Sequence, residues 1–462
     1  MRSIRTNGMA LHGHAAGDRR KARLRTRELS WLDSPGWATA LAVLYVVLAL
    51  LPVTIAFAFA NRSFGDVFIE LGRAAALTGF SLVALQVALT SRVHPVTRPF
   101  GLDKITGFHR KMGVVGALLL LAHPLLLAVE VGWGLLGLET SWQVWLGKAT
   151  LLYALVVVGA AVSFRKLNIQ YQYWRVMHKG AILVVIVGFA HGISIGTDFA
   201  TNPALTAYVW TVGVIVAGVF VFRNLFVPIW GRRKLRVSNV EKESHDTYSV
   251  ALEPTDGRPL SYRPGQFMFL RLVRPGRRSE LHPFTISSSP TSGWPITATI
   301  KQSGDFTDTI DQTRSDDRAR VEAPYGRFSF LLHKSEAVVF IAGGVGITPL
   351  MSMMRYIRDT KDTRPATLIW GNKTQKDILF REELEQMPEN VSVTHVLSKP
   401  AEDWDGPRGF VTKEIIEQRA GDELKRADFF VCGPPVMMDK VIDALGELGV
   451  PKKRTHWERF TL

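Results

Sequence analysis

The sequence predicts a membrane α-helical bundle of six spans followed by a soluble half in which a β-rich part precedes an α/β part. Two observations predict it. Apolar runs of spanning length fill the chain from Trp37 to Val227, whereas from about Gly231 onward apolar and polar residues alternate as in a soluble protein. An overall hydrophobic content of 47% hides that division, and 462 residues leave room for several domains.

The chain opens on a basic cytoplasmic tail, residues 1–36. The net charge is +15, and eight of the basic residues lie in the first 27, ending in RRKARLRTR (Arg19 to Arg27). Others flank the apolar runs. Cationic flanks of this kind set the orientation of spans or touch anionic lipid, and no interleaved aromatic and basic surface points to nucleic acid. The single cysteine, Cys432, excludes an internal disulfide, a four-thiolate iron–sulfur cluster and a Cys-rich zinc site.

The spans are expected near Trp37 to Ala60, Val67 to Thr90, Gly107 to Val131, Gln143 to Phe164, Trp174 to Gly196 and Ala204 to Val227. AFAFA (Ala56 to Ala60) resembles a cleavage site, but the long polar lead and extended apolar core predict an uncleaved span. Lys and Arg gather in the N-terminal tail, around Arg92 to Lys111, around Arg165 to Lys179 and at Gly231 to Lys234. The alternate loops carry Arg62, Glu70, Glu130, Glu139 and Asp198. Both ends of this multi-pass plasma (inner) membrane protein are therefore expected in the cytoplasm, with the third and fifth spans parallel.

Those two spans hold the chemistry. The third, FHRKMGVVGALLLLAHPLLL (Phe108 to Leu127), places His109 and His123 fourteen residues apart; the fifth, YWRVMHKGAILVVIVGFAHG (Tyr173 to Gly192), places His178 and His191 thirteen apart. Ionisable residues at bilayer depth are costly and ask for a reason. Fourteen residues return to within about 40° of one face of an ideal helix, but thirteen end roughly 140° away, so the fifth span needs tilt or distortion near Gly188. Thiolates and carboxylates that would accompany metal transport are absent from these faces. Two facing pairs of neutral imidazoles suit two axially clamped haems in a bundle core, the alternative being four packing histidines bonded to neighbouring carbonyls.

In the soluble half, YRPGQFMFL (Tyr262 to Leu270) reads as a turn entering a strand and HPFTISSSP (His282 to Pro290) as a hydroxyl-rich strand. IKQSGDFTDTI (Ile300 to Ile310) reads as strand, Gly turn and helix start, where free N–H groups, Lys301, Gly304 and Thr307 are placed to hold a pyrophosphate. AVVFIAGGVGITPLMSMMRYI (Ala337 to Ile357) gives a buried strand, a glycine turn and a helix with Thr348 as N-cap and Pro349 in its first turn. Gly343, Gly344 and Gly346 let backbone approach a dinucleotide. FFVCGPPVMMDKVIDAL (Phe429 to Leu445) repeats strand, turn and helix, and HWERFTL (His456 to Leu462) ends the chain as a short aromatic strand.

Together these residues resemble the NADPH oxidase and ferric reductase superfamily in its bacterial single-chain form, from about residue 40 to the end. The carriers are the four histidines, H-P-F-T, G-G-V-G-I-T-P and C-G-P-P in that order. The resemblance implies a ferric reductase-like di-haem domain at 37–228, an antiparallel β-barrel FAD domain at 229–334 and a Rossmann-like NAD(P) domain at 335–462. It implies two haem b groups, His109 and His178 ligating the inner iron and His123 and His191 the outer one. It further implies that Arg263, Pro264, Gly265 and Gln266 lie beneath the flavin, lined by His282, Pro283, Phe284 and Thr285, with Thr285 near its reactive nitrogen. Gly343 to Pro349 would cradle the phosphates of NADPH or NADH, and Cys432, Gly433 and Pro434 would lie beside the nicotinamide. Phe460 is similar to the aromatic that stacks on the flavin, with Trp457 as a competitor. Arg73 is similar to the family arginine beside the outer haem, the alternative being a pair with Glu70. Lys373 or Arg381 is placed to meet a ribose phosphate.

The activity so implied is a flavohaem NAD(P)H oxidase passing electrons across the membrane, dioxygen giving superoxide. The alternatives are a ferric chelate or an extracytoplasmic redox partner as acceptor. Leu127 stands where eukaryotic members carry a further histidine. No obligate protein partner is evident.

Overall fold

A computed structural model describes residues 30–58, 67–163, 166–167, 171–274 and 280–459. Two compact units divide the chain, one formed by Leu32–Ile229 and one that holds Trp230–Leu462.

The first unit is all helix. Its main elements are α1 (Pro35–Ala58), α2 (Val67–Leu89), α3 (Leu102–Val131), α4 (Trp142–Ser163), α5 (Tyr171–Lys179), α6 (Ile182–Ile195) and α7 (Pro203–Val221), whose last turns run on to Gly231 as π-helix. They supply the six expected spans, with α5 and α6 together making the fifth. Apolar side chains face outward all round, as Leu44, Leu118, Leu152 and Ile186 do, because here lipid rather than water is the solvent.

Lipid offers no hydrophobic drive between helices, so close backbone packing has to hold them. α2 and α3 achieve it through small residues. A Cβ on Gly79 would stand 3.1 Å from the Gly116 carbonyl oxygen and 3.0 Å from the Leu119 Cβ.

The fifth span is interrupted at Gly180 and Ala181. Around this join the backbone tightens to i→i−3 bonds: Ala181 N–H to His178 O (3.1 Å), Leu183 N–H to Gly180 O (2.9 Å) and Val184 N–H to Ala181 O (3.0 Å). The Tyr153 hydroxyl of α4 donates to the Met177 carbonyl at 3.0 Å, supporting the join from outside. Each tightened residue turns about 20° further than an α-helical one. Three such residues recover about 60° of the roughly 140° by which thirteen α-helical residues miss the His178 face.

The second unit contains two sheets. Strands β1 (Arg233–Lys242), β2 (Thr247–Pro254), β3 (Phe267–Val273), β4 (His282–Thr285), β5 (Ile296–Lys301) and β6 (Arg318–Tyr325) pair antiparallel in the order β4-β3-β6-β1-β2-β5. The two edges meet just past β4, where Ser287 N–H bonds Thr297 O at 2.8 Å and Thr297 N–H bonds Ser288 Oγ at 3.0 Å. That closes the sheet into a barrel around Val237, Val250, Leu252, Met268, Leu270, Ile296 and Ile300.

Strands β7 (Val338–Gly343), β8 (Ala366–Asn372), β9 (Val391–Leu397), β10 (Asp428–Cys432) and β11 (Thr455–Glu458) form a parallel sheet in the order β11-β10-β7-β8-β9. Their near-continuous apolar sequences reflect burial on both faces. α8 (Ile347–Thr360) covers one face with Leu350, Met351, Met354 and Ile357, and α9 (Pro435–Glu447) covers the other with Met438, Val441 and Leu445. The strand order reverses between β7 and β10, so their carboxyl ends, Gly343 and Cys432, flank the crevice where such folds bind nucleotides.

The α2–α3 contact generates a prediction. Gly79→Ala should destabilise the protein by about 1–3 kcal/mol through overpacking. Gly113→Ala, at a position with nothing within 4 Å of a new Cβ, should not destabilise. Thermal unfolding in detergent checks this, and equal midpoints for the two variants would defeat it.

Candidate functional site

The helix pair α2–α3 and the broken span bring the four histidines into two groups. The His109 and His178 rings are 5.8 Å apart by centroid, with planes at 86°. Trp174, one turn earlier on α5, stacks on the other side of His178 at 5.1 Å. Nδ1 of both His109 and His178 is buried without a hydrogen-bond partner among the described residues. A buried polar atom left so costs on the order of 1–3 kcal/mol, which suits rings awaiting a ligand.

His123 and His191 are close enough to interact electrostatically. Each has one ring nitrogen fixed by a carbonyl of a neighbouring helix: His123 Nδ1 to Gly72 O at 2.9 Å and His191 Nδ1 to Gln143 O at 2.8 Å. A carbonyl only accepts, so both Nδ1 atoms carry the proton and both Nε2 lone pairs are left to bind. This is the arrangement that orients metal-ligating imidazoles. Glycines make room for it: a Cβ on Gly147 would stand 2.7 Å from the His191 ring. The residues present therefore fit haem iron in both groups. The carbonyl partners Gly72 and Gln143 carry no side-chain signal that a sequence reading could use.

Arg73 follows Gly72 on α2. Its guanidinium is 2.8 Å from Glu70 and 3.8 Å from Asp198. Leu127 packs beside Gly72, a glycine Cβ there falling 3.2 Å from its Cδ2.

In the barrel, the turn before β3 is built on Gln266. Its Oε1 accepts Arg263 N–H at 2.8 Å and its Nε2 donates to Gly326 O at 2.9 Å. Pro264 and Gly265 are buried within that turn. Opposite lies β4, with Thr285 in register with Phe267, Phe284 with Met268, Pro283 with Phe269 and His282 with Leu270. His282 stacks on Phe306 at 4.1 Å. Thr285 is 5% exposed, and its Oγ1 is buried without a hydrogen-bond partner among the described residues.

The phosphate-binding expectation around Gly304 needs correction. Residues Thr307–Gln312 form a 3₁₀ helix of one or two turns, too short for a strong dipole. Ser303 N–H is taken by Thr307 Oγ1 at 3.0 Å and Gly304 N–H by Asp308 Oδ1 at 3.1 Å. Lys301 is paired to Asp246 at 3.0 Å. Side chains of the loop itself thus take the Ser303 and Gly304 N–H groups.

At the nucleotide crevice, Gly344–Gly346 is a 3₁₀ turn and α8 begins at Ile347. Thr348 is not the N-cap, contrary to expectation; it lies buried inside the first turn beside Pro349, and Gly346 caps the helix with no side-chain bond. The turn leaves no space for a side chain at the cap, since a Cβ on Gly346 would collide with the Cys432 carbonyl. An uncapped N-terminus opposite a glycine turn fits a dinucleotide phosphate. The Trp370 indole N–H donates to Gly344 O at 3.0 Å, pinning the turn from β8.

Cys432 is fully buried, and burial together with Glu458 pushes its thiol well up, so it is a neutral thiol. Gly433 and Pro434 follow it at the start of α9. Glu458, in register with Cys432 on β11, reaches the barrel: a Cβ on Gly326 would stand 3.2 Å from its carboxylate. The barrel turn at Gln266, the Cys432 strand end and Glu458 therefore share one cleft. The sequence reading missed Glu458, whose single charge in HWERFTL sits among aromatics that carry the stronger signal. It also missed Asn372, buried at the end of β8 with both amide atoms unpartnered among the described residues. Lys373 beside it is exposed, and Arg381 meets Glu385 at 3.3 Å. Trp457 is 46% exposed, and Phe460 lies outside the described residues.

Known proteins match in the same order. A family described as ferric reductase like transmembrane component matches residues 75–189, an FAD-binding domain 229–348 and an oxidoreductase NAD-binding domain 340–443. The chain is 31% identical over 238 residues to the glycine betaine monooxygenase reductase subunit of Pseudomonas aeruginosa, covering 50% of this chain and 64% of that protein, somewhat under two thirds of its length. It is 27% identical over 210 residues to NADH-cytochrome b5 reductase 2 of Aspergillus terreus, covering 44% and 66%. Among solved structures, the flavohem-like FAD/NAD binding domain of nitric oxide dioxygenase from Vibrio cholerae is 23% identical, with a TM-score of 0.44 over 49% of this chain and 98% of that one. In matching a ferric reductase like transmembrane component, an FAD-binding domain and an NAD-binding domain in one chain, the protein is similar to the NADPH oxidase and ferric reductase superfamily.

Proposed function

We propose that the chain, with both ends in the cytoplasm, carries electrons from NADH or NADPH to an extracytoplasmic acceptor, and that this acceptor is dioxygen, released as superoxide. The observation that carries the reading is the pairing of histidines on the broken fifth span with those of α3, each outer ring holding its Nε2 free by a bond through Nδ1. FAD would supply the conversion of a two-electron hydride into single electrons, and two haem irons would supply one-electron relay.

The chain's own residues do the positioning. His109 with His178, and His123 with His191, would each hold one iron, and Gly72 and Gln143 keep the outer imidazoles in the binding tautomer. Gln266 fixes the turn from Arg263 to Gly265 beneath the flavin, and Thr285 Oγ1 offers it a hydrogen bond. The glycine turn and the uncapped α8 receive the nucleotide phosphates, with Asn372 at their side. Cys432 and Glu458 close the cleft around the nicotinamide, the neutral thiol packing against it without adding charge.

One observation favours a ferric chelate as acceptor instead. Arg73, expected to steady an anion, is already engaged by Glu70 and Asp198. Detergent-purified protein supplied with FAD and NADH or NADPH separates the two. The oxygen reading expects superoxide dismutase to suppress dye reduction. Dismutase-insensitive reduction of ferric chelate that persists without oxygen moves the assignment to ferric reductase.

The ligand roles predict that His123→Leu and His191→Leu each lower haem content from two to one per chain and abolish transmembrane transfer. NAD(P)H-to-flavin reduction should stay intact; two haems with unchanged spectra in either variant would refute the assignment. Thr285→Val should weaken flavin reduction by hydride on the order of ten- to a hundredfold, from loss of a buried hydrogen bond of about 1–3 kcal/mol. Stopped-flow measurement of flavin bleaching reads it, and an unchanged rate would remove Thr285 from the flavin site.

A further inference from the structure

Away from the nucleotide crevice, three potential metal ligands converge at the amino end of β10. They come from separate stretches of chain: His333 from the segment between barrel and parallel sheet, Asp428 from the first position of β10, and His456 from β11. One ligand atom from each lies within 4.8 Å of the others. The His333 and His456 rings stack at 3.7 Å, an arrangement that opens when both imidazoles meet one ion in their ring planes, and His456 Nε2 is 2.8 Å from Asp428 Oδ1. Phe430 forms the apolar wall against both rings.

We propose that His333, Asp428 and His456 form a binding site for a divalent transition metal of the zinc class, separate from the four membrane histidines. Two imidazoles and one carboxylate are a donor set that zinc and its neighbours accept, and three protein ligands leave positions for water. The supporting contact is in place: Ser335 Oγ donates to Asp428 Oδ2 at 2.5 Å, which orients the carboxylate and leaves Oδ1 toward the histidines. The metal takes the place of the proton that joins His456 to Asp428. Arg327 is a nearby cation that opposes it, and the Asp428 carboxylate answers that charge.

The site has a position that matters. His456 lies two residues before Glu458 on the short strand β11, in register with Phe430 as Glu458 is with Cys432. A metal that ties β11 to β10 and to the segment before β7 fixes the strand that carries Glu458 into the cleft.

The test uses the full chain in detergent, loaded with haem and FAD, and equilibrated with zinc chloride against a competing chromophoric chelator. The expected result is one zinc retained per chain, with affinity at least tenfold weaker in His333→Ala and in Asp428→Asn. Haem and FAD content report whether each variant is folded. X-ray absorption at the zinc edge of the wild-type protein should show imidazole scattering from two histidines, a readout that needs no variant. No retained zinc, equal affinity in folded variants, or an edge without imidazole would each overturn the proposal.

Discussion

An imidazole inside an apolar bundle needs one ring nitrogen satisfied by the protein before the other can serve a ligand, and the membrane unit is arranged around that need. A helical carbonyl already accepts one bond from its own helix, but it has a second lone pair. Side chains ordinarily shield that lone pair from a neighbouring helix. On α2 the position that reaches His123 is Gly72, and on α4 the ring of His191 rests against Gly147 while bonding Gln143 O. The close α2–α3 approach at Gly79 and Gly116 is thus more than packing, since it sets the depth at which the Gly72 carbonyl meets His123. The broken fifth span answers the same constraint from the other side. The tightened join turns His191 part of the way back toward the His178 face.

The soluble unit depends on the serine run that follows β4. Ser287 and Ser288 close the barrel against Thr297, and the same residues hold α8: Ser352 Oγ donates to Ser288 O at 2.7 Å and Arg355 Nη1 to Ser287 O at 2.8 Å. Arg355 is clamped in turn by Glu383 at 2.6 Å. Because α8 begins at the glycine turn, this joint fixes the nucleotide crevice relative to Thr285, only two residues before Ser287. A hydroxyl-rich strand that reads as a flavin-lining motif is also the pin that joins two sheets.

Much of this was legible in the sequence. Spanning helices announce themselves by length and apolarity, and the strand, glycine turn and helix of Val338 to Thr360 follow from burial on both sheet faces. What the sequence concealed lies in backbone groups and in distant side chains. The Gly72 and Gln143 carbonyls have no residue signature. The join at Gly180 could be inferred as a necessity from the spacing of His178 and His191, but its place depends on the Tyr153 hydroxyl of another helix. Around Gly304 and at Thr348, local cap rules pointed one way and the chain settled another. Asp308 outcompeted a ligand for the Gly304 N–H, and the 3₁₀ turn at Gly344–Gly346 moved the helix start ahead of Thr348.

Arg73 shows how the same competition between partners bears on the acceptor. A guanidinium next to Gly72, whose carbonyl meets His123, attracts an anion only to the extent that its charge is not already answered. Glu70, one turn back on α2, and Asp198, in the short helix Thr197–Thr201, both approach it. The group ties α2 to the segment leading into α7, and its summed charge with the two carboxylates is negative. Attraction between opposite charges at about 4 Å is worth several kcal/mol where water is scarce and about 1 kcal/mol where it is plentiful. The Glu70 contact uses Nη1 and the Asp198 contact Nε, so it is the charge of the two carboxylates, more than a shortage of N–H donors, that weakens the pull of Arg73 on an anion. Access of water to this end of α2, which screens the two carboxylates, therefore bears on Arg73 more than the presence of an arginine in the sequence does.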